Sequence, residues 1–321
     1  MKNEQYNEEL RAQDEKFNIQ DEKEWQSFKK NVSNRNFLLI SVVLILMVIG
    51  FAVGFSLRYY AKNNSPIASS TAVSSETTAQ EQTSNEDSCN IAGINLHGSM
   101  VTYNPKEDLN DSGNLKVDET ASEDVYFAVK NAEKKENIKA IIVEIDSSGG
   151  DPTAAEEVEK VLKNSTKPVI AYIRSVGTSA AYWAATGAGR IFALPTSQVG
   201  SIAVNGSYLD KTKYNQEEGY TFNDLTTGKF KNTTNSDKPL TAEERTLVMK
   251  DLYEVHDLFV KTVAENRNLD INKVKELANG WAYTGTDALK LGLVDEFGGL
   301  DEVENYLEKN VLNNEKADIC W

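Results

Sequence analysis

Histidine and cysteine are almost absent from this chain, which has two of each: His97 and His256, Cys89 and Cys320. With so little imidazole, a hydrolase built on a serine nucleophile needs another base, and an uncharged lysine amine is the established substitute. Positive charge is also short, with 34 Lys and Arg against 49 Asp and Glu and a formal net charge of −15. The first 36 residues are close to balanced, so the excess acid lies in the C-terminal part. That balance argues against a nucleic-acid partner and against adsorption to anionic lipid. No internal repeat is present, and 321 residues give room for one ordinary core with appendages.

Charge itself is missing from Phe37 to Leu57, FLLISVVLILMVIGFAVGFSL. At 1.5 Å per residue the run gives about 31 Å of helix, matching a bilayer's hydrocarbon core, and predicts one transmembrane helix over 37–57. A cleaved signal peptide would carry a shorter polar region, a shorter apolar run and an A-x-A site close behind. Residues 1–36 form a tail of mixed charge. Lys29, Lys30 and Arg35 precede the span and Arg58 and Lys62 follow it, a thin bias toward a cytoplasmic N-terminus. Residues 58–88, rich in Ser and Thr and poor in apolar side chains, read as a flexible linker. Cys89 opens the remaining region and Cys320 stands one residue from the end. Their placement predicts a disulfide joining the termini of a domain over 89–321 outside the cytoplasm, worth roughly 5 kcal/mol in the chain-entropy model. The alternative is two unpaired thiols.

Past the linker, apolar runs (IAGINL, IKAIIVEID, PVIAYI, RIFALP) alternate with segments of helical period, which argues for an α/β domain. One such segment carries Val125, Val129 and Ala132, and another, Thr153 to Leu162, sets Ala155, Val158, Val161 and Leu162 on one face. The longest begins at Thr241 with Glu244 in capping-box spacing and carries Leu247, Leu252, Val255, Phe259 and Val263. Two strand ends run into small-residue turns before a helix, Ser147-Ser-Gly-Gly-Asp151 and Arg174-Ser-Val-Gly-Thr-Ser179. Each aims unpaired N–H groups and a helix dipole at one spot, which suits a developing oxyanion. Ser179 on its turn and Lys231 in Thr227-Gly-Lys-Phe-Lys-Asn232 are the one pairing that suggests chemistry.

These segments resemble the signal peptide peptidase A family, membrane-anchored Ser/Lys proteases of the ClpP/crotonase-like fold. IVEIDSSGG is similar to its strand and Asn/Asp-Ser-Pro-Gly-Gly turn, YIRSVGTSAAYWAATGAGRIFA to its nucleophile block, and VGSIAV to its Thr-Gly-Ser-Leu-Gly-Val. TTGKFKN resembles its lysine loop, and ANGWAYTGTDALKLGLVDEFGG its C-terminal pattern; together the segments cover roughly Ile91 to Tyr306 in order. The resemblance implies a single-repeat ClpP/crotonase-like domain with Ser179 as nucleophile, Lys231 as general base and Ser201 orienting the lysine amine. It places the oxyanion donors at the backbone N–H groups of Gly150 and Ala180. It also implies signal-peptide remnants or other short hydrophobic peptides as substrates, cleaved without metal, nucleotide or other cofactor. Finally, it implies a homo-oligomer in which serine and lysine can come from neighbouring subunits.

Lysine accepts a proton only when neutral, so Lys231 is expected to be buried, where desolvation lowers its pKa. Lys229 is the rival base. Ala180 and Ala181 stand where the family has glycines, Ser148 replaces a proline and Trp281 an arginine. Were positive φ needed after the nucleophile, alanine would strain the turn. An inactive membrane scaffold that binds peptides or partner proteins is therefore the alternative, with an acyl-CoA enzyme and a histidine-assisted hydrolase behind it.

Overall fold

The computed structural model describes residues 89–104 and 118–321. The tail 1–36, the span 37–57 and the linker 58–88 lie outside the described residues. Among those described, no helix is long and apolar enough to cross a membrane.

The apolar runs become the centre of a mostly parallel sheet: β1 (Ile91–Val101), β2 (Glu119–Ala121), β3 (Ala140–Gly150), β4 (Val169–Thr178) and β5 (Arg190–Ala193). They are followed by β6 (Gln198–Gly200), β7 (Ala282–Thr284), β8 (Glu296–Phe297) and β9 (Ile319–Cys320). The order is β2-β1-β3-β4-β5-β8, with β9 on β1 and β6 bridging β4 to β7; among the described residues only the β6–β7 pair is antiparallel.

The period-2 alternation of strands sends β3 into two cores. Ile141, Val143 and Ile145 face one layer of helices, while Ala140 and Ile142 face the other. On the first face lie α1 (Ser122–Lys134), α2 (Pro152–Lys163), α3 (Ala180–Ala185) and the C-terminal half of α5 (Ala242–Asn266). Between α3 and α5 in the chain comes the short α4 (Thr212–Glu217); α6 (Ile271–Leu277) and α7 (Gly285–Leu291) complete this side, and α8 (Leu300–Asn310) covers the other. Val125, Val129 and Ala132 of α1 are buried as their spacing predicts, as are Ala155, Val158, Val161 and Leu162 of α2. Trp183 of α3 stacks on Phe259 of α5 with ring centroids 4.8 Å apart.

The expectation for α5 needs a correction. Thr241 and Glu244 form the capping box, and Phe259 and Val263 are buried, but Leu247 is 39% exposed and Leu252 and Val255 are only partly covered. The apolar stripe outruns the sheet it packs on. Its N-terminal half meets the arm formed by residues 203–240: Leu252 lies beside Gly206, and the Leu240 N–H donates to the Tyr208 hydroxyl.

Cys89 and Cys320 are joined in a disulfide, Cα to Cα 5.8 Å, that ties β9 to the start of β1 across 231 residues of sequence. The pairing expected from their placement is present.

Candidate active site

Four segments meet at the C-terminal ends of β1, β3, β4 and β6. Chain direction explains the convergence: in a parallel sheet every strand delivers its following loop to the same edge. β3 ends in Gly149 (φ 109°) and Gly150 (φ 154°), both in the region that favours glycine. A Cβ on Gly149 would lie 2.9 Å from the Ala180 nitrogen and 2.9 Å from the Ser179 Cβ. The missing side chain is what lets the end of β3 press against the start of α3. A Cβ on Gly150 would collide with the Met100 carbonyl at 2.2 Å.

Ser179 caps α3 with φ 54° and ψ −127°, a conformation that costs a non-glycine residue about 1–3 kcal/mol and persists only where its surroundings over-determine it. Those surroundings are visible. The Ser179 N–H donates to the Gly200 carbonyl at 2.8 Å, the Trp183 N–H donates to the Ser179 carbonyl at 3.0 Å, and Thr178 Oγ1 donates to the Ser148 carbonyl at 3.2 Å. The Ser179 hydroxyl itself has no hydrogen-bond partner among the described residues.

The positive φ falls on Ser179 and not on Ala180, which opens α3. Alanine is thus unstrained here, and the concern raised by the two alanines dissolves. As the first residue of the helix, Ala180 has an N–H with no intrahelical acceptor. At the facing turn, the Gly149 N–H donates to Ser147 Oγ at 3.1 Å, and that hydroxyl donates to the Gly98 carbonyl at 2.6 Å. Gly149 is therefore committed, whereas Gly150 is exposed.

Register places Ser201 next. Thr178 pairs with Gly200 on parallel β4 and β6, so Ser179 and Ser201 follow paired positions one strand spacing apart, about 4.8 Å. Ser201 also has positive φ, 50°. Its N–H donates to the Trp281 carbonyl and its hydroxyl to the Gly280 carbonyl, each at 2.9 Å. With its proton given to Gly280, the hydroxyl keeps lone pairs that can accept from an amine. Sequence reasoning missed this Gly280–Trp281 clamp, which comes from a turn 79 residues away.

Lys231 departs from expectation. It is exposed, in the turns that follow Gly228, and its amine makes no ion pair or hydrogen bond among the described residues. The chain does not bury it because the arm around it has no strand and only the six-residue α4, so nothing in the same protomer covers it. Lys229 is ion-paired with Glu243. The arm also exposes Tyr208, Leu209, Tyr214, Tyr220, Phe222, Leu225 and Phe230. The histidines are occupied elsewhere: His97 Nε2 lies 3.1 Å from Glu144 Oε1, and His256 Nε2 lies 3.3 Å from the Ala278 carbonyl. Among the described residues, no group of three or more His, Cys, Asp or Glu could hold a metal ion.

Parts of this chain are similar to known proteins. Residues 161–313 match the model of Peptidase family S49. A protein of Methanocaldococcus jannaschii that is named a protease is 34% identical over 187 residues, 57% of this chain and 60% of its own length. The chloroplastic serine protease SPPA of Arabidopsis thaliana is 31% identical over 56% of this chain and 27% of its own, and Protease 4 of Haemophilus influenzae 25% identical over 72% and 36%. The chain thus spans from about a quarter to about three fifths of the length of these relatives. A solved mutant of the 1510-N membrane-bound stomatin-specific protease in complex with a substrate peptide superposes with a TM-score of 0.48 and 15% identity, covering 72% of this chain and 91% of that one. Residues 161–313 thus carry the sequence pattern of peptidase family S49, and the chain is similar to SppA-type serine proteases.

Proposed function

We propose that this chain is a membrane-anchored serine endopeptidase whose Ser179 hydroxyl is activated by Lys231 of a neighbouring copy. The observation that carries the reading is the Ser179 turn: a strained nucleophile, free at its hydroxyl, fixed by Gly200 and faced by a glycine turn. Exposure of Lys231, on an arm rich in uncovered aromatic and aliphatic side chains, supports a base delivered across a subunit contact. Burial in that contact would desolvate the amine, which disfavours its charged form.

In the reaction, Ser179 Oγ attacks the scissile carbonyl carbon as its proton passes to the neutral Lys231 Nζ. The carbonyl oxygen, now negative, takes hydrogen bonds from the N–H groups of Gly150 and Ala180. Ser201 accepts a hydrogen bond from the lysine amine and aims it. The ammonium then protonates the leaving amine as the C–N bond breaks, leaving an ester on Ser179. Water then gives a proton to the same amine and attacks the ester carbon; the C–Oγ bond breaks as the ammonium returns that proton to Ser179 Oγ, and the acid leaves with both groups restored. Extended hydrophobic peptides, such as signal-peptide remnants, are the substrates this reading assigns, bound as an added strand. The span 37–57 holds the domain to the cell membrane with the N-terminus cytoplasmic and the catalytic domain outside the cytoplasm.

The test is cleavage of a fluorogenic apolar peptide by Ser179→Ala and Lys231→Ala proteins. Each should lose about 10³-fold or more in kcat/KM. Turnover at the wild-type rate by either variant refutes the assignment.

A further inference from the structure

Lys231 is flanked on both sides by residues tied to the start of α5. Two positions before it, the ammonium of Lys229 pairs with Glu243 and lies 5.2 Å from the centre of the Phe230 ring. Two positions after it, Thr233 Oγ1 donates to Glu244 Oε1 at 3.3 Å, and Lys238 Nζ donates to the same oxygen at 2.6 Å. The other Glu244 oxygen takes the Thr241 N–H at 2.9 Å and the Thr241 hydroxyl at 2.8 Å. One carboxylate thereby caps the helix and anchors the loop. Lys231 alone in this stretch of lysines has a free amine.

We propose that the adjacent carboxylates Glu243 and Glu244 are positioning residues that bracket Lys231 and aim its amine out of the protomer. The inference rests on the reading of Lys231 as the base. Both carboxylates sit in the first turn of α5, where the helix dipole favours negative charge, so the bracket is built on the most rigid element within reach. The Lys238 ammonium and the Thr241 donors pull the Glu244 carboxyl down to about 2, which keeps the anchor ionised at any pH where the amine could act. The bracket also separates the two candidate bases. Lys229 is engaged by its carboxylate and works as a tether, while Lys231, with no counter-ion, is the amine that desolvation can neutralise.

The test is steady-state cleavage of the same apolar peptide by the full-length protein in detergent, with oligomeric state and melting temperature measured alongside. Glu243→Gln, Lys229→Met and Lys238→Met are each expected to lower kcat about 10-fold with KM and assembly unchanged, because a base displaced by about 1 Å is still present but misaimed. Lys238→Met leaves the capping box intact, so its effect is not one of helix unfolding. The double exchange Glu243→Lys with Lys229→Glu should recover most of the lost kcat. Lys231→Met serves as the control and should abolish cleavage. If Lys231→Met is inactive while the three bracket variants turn over as wild type, or raise KM alone, the bracket is overturned and the base assignment stands. If Lys231→Met is active and Lys229→Met is not, the base assignment fails and the bracket falls with it.

Discussion

Around Ser179 the backbone is fixed by its own sheet: Gly200 holds the N–H, Gly149 presses against the Cβ, and the helix behind it is buried from Ala180 to Ala185. Around Lys231 the arm has no strand, exposes seven large apolar side chains between Tyr208 and Phe230, and is tied down at two carboxylates. The first region is completed by long-range contacts within one chain. The second has the composition of a buried surface and the exposure of a free one. On the proposed reading, a protomer so built would hold the nucleophile and oxyanion donors on its sheet and present the base outward, and contact with another copy would complete the site.

That contrast can be broken at its firm end first. Phe259→Ala removes the ring stacked on Trp183 beneath α3 and should cost about 3–5 kcal/mol of domain stability, read as a large drop in denaturant midpoint. Loss of less than about 1 kcal/mol would mean that the layer under the nucleophile is not tightly packed.

Acid should act next, and on the arm. The folded-state pKa of Glu244 lies below its ordinary value, near 2 against 4.5, so the stability it contributes is full above about pH 4.5 and is lost as the pH falls toward 2. Wild-type protein should therefore lose its margin of stability over Glu244→Gln between about pH 5 and pH 2.5, and the two should converge at the acid end. A margin that stays constant across that range would show that the carboxylate's partners do not hold in solution.

The smallest folding effect belongs to the arm's surface. Leu225, 94% exposed, contributes nothing to the protomer's core, so Leu225→Ser should shift protomer stability by no more than about 0.5 kcal/mol. Sedimentation velocity should nonetheless show a weaker oligomer. An unchanged association constant would remove this side chain from the proposed contact.

The same contrast between firm sheet and outward arm governs what the sequence could reveal. Strands β1, β3, β4 and β5 were legible because parallel strands buried on both faces read as unbroken apolar runs, and α1 and α2 because their buried residues recur at helical spacing. The Thr241–Glu244 cap was legible as a spacing, but its second duty to Thr233 and Lys238 was not, because it depends on how the arm folds back. Cys89 and Cys320 were readable as a pair because there were no competitors. The location of the positive φ, on Ser179 and not on Ala180, carries no compositional sign. Apolar residues in a polar loop look alike whether they await a neighbour or simply face solvent, so the burial expected of Lys231 had no local test. Leu247 and Leu252 misled for the same reason, as periodicity records an apolar face without naming what covers it.

The most direct test of a site divided between copies is to mix two inactive proteins. Ser179→Ala supplies an intact Lys231, and Lys231→Ala supplies an intact Ser179. Oligomers dissociated, combined and reassembled should regain a substantial part of wild-type peptide cleavage, because mixed contacts pair a good serine with a good lysine. If the mixture stays as inactive as its parents while forming mixed oligomers, the serine and lysine of one working site belong to the same chain, and a base delivered by a neighbouring copy is ruled out.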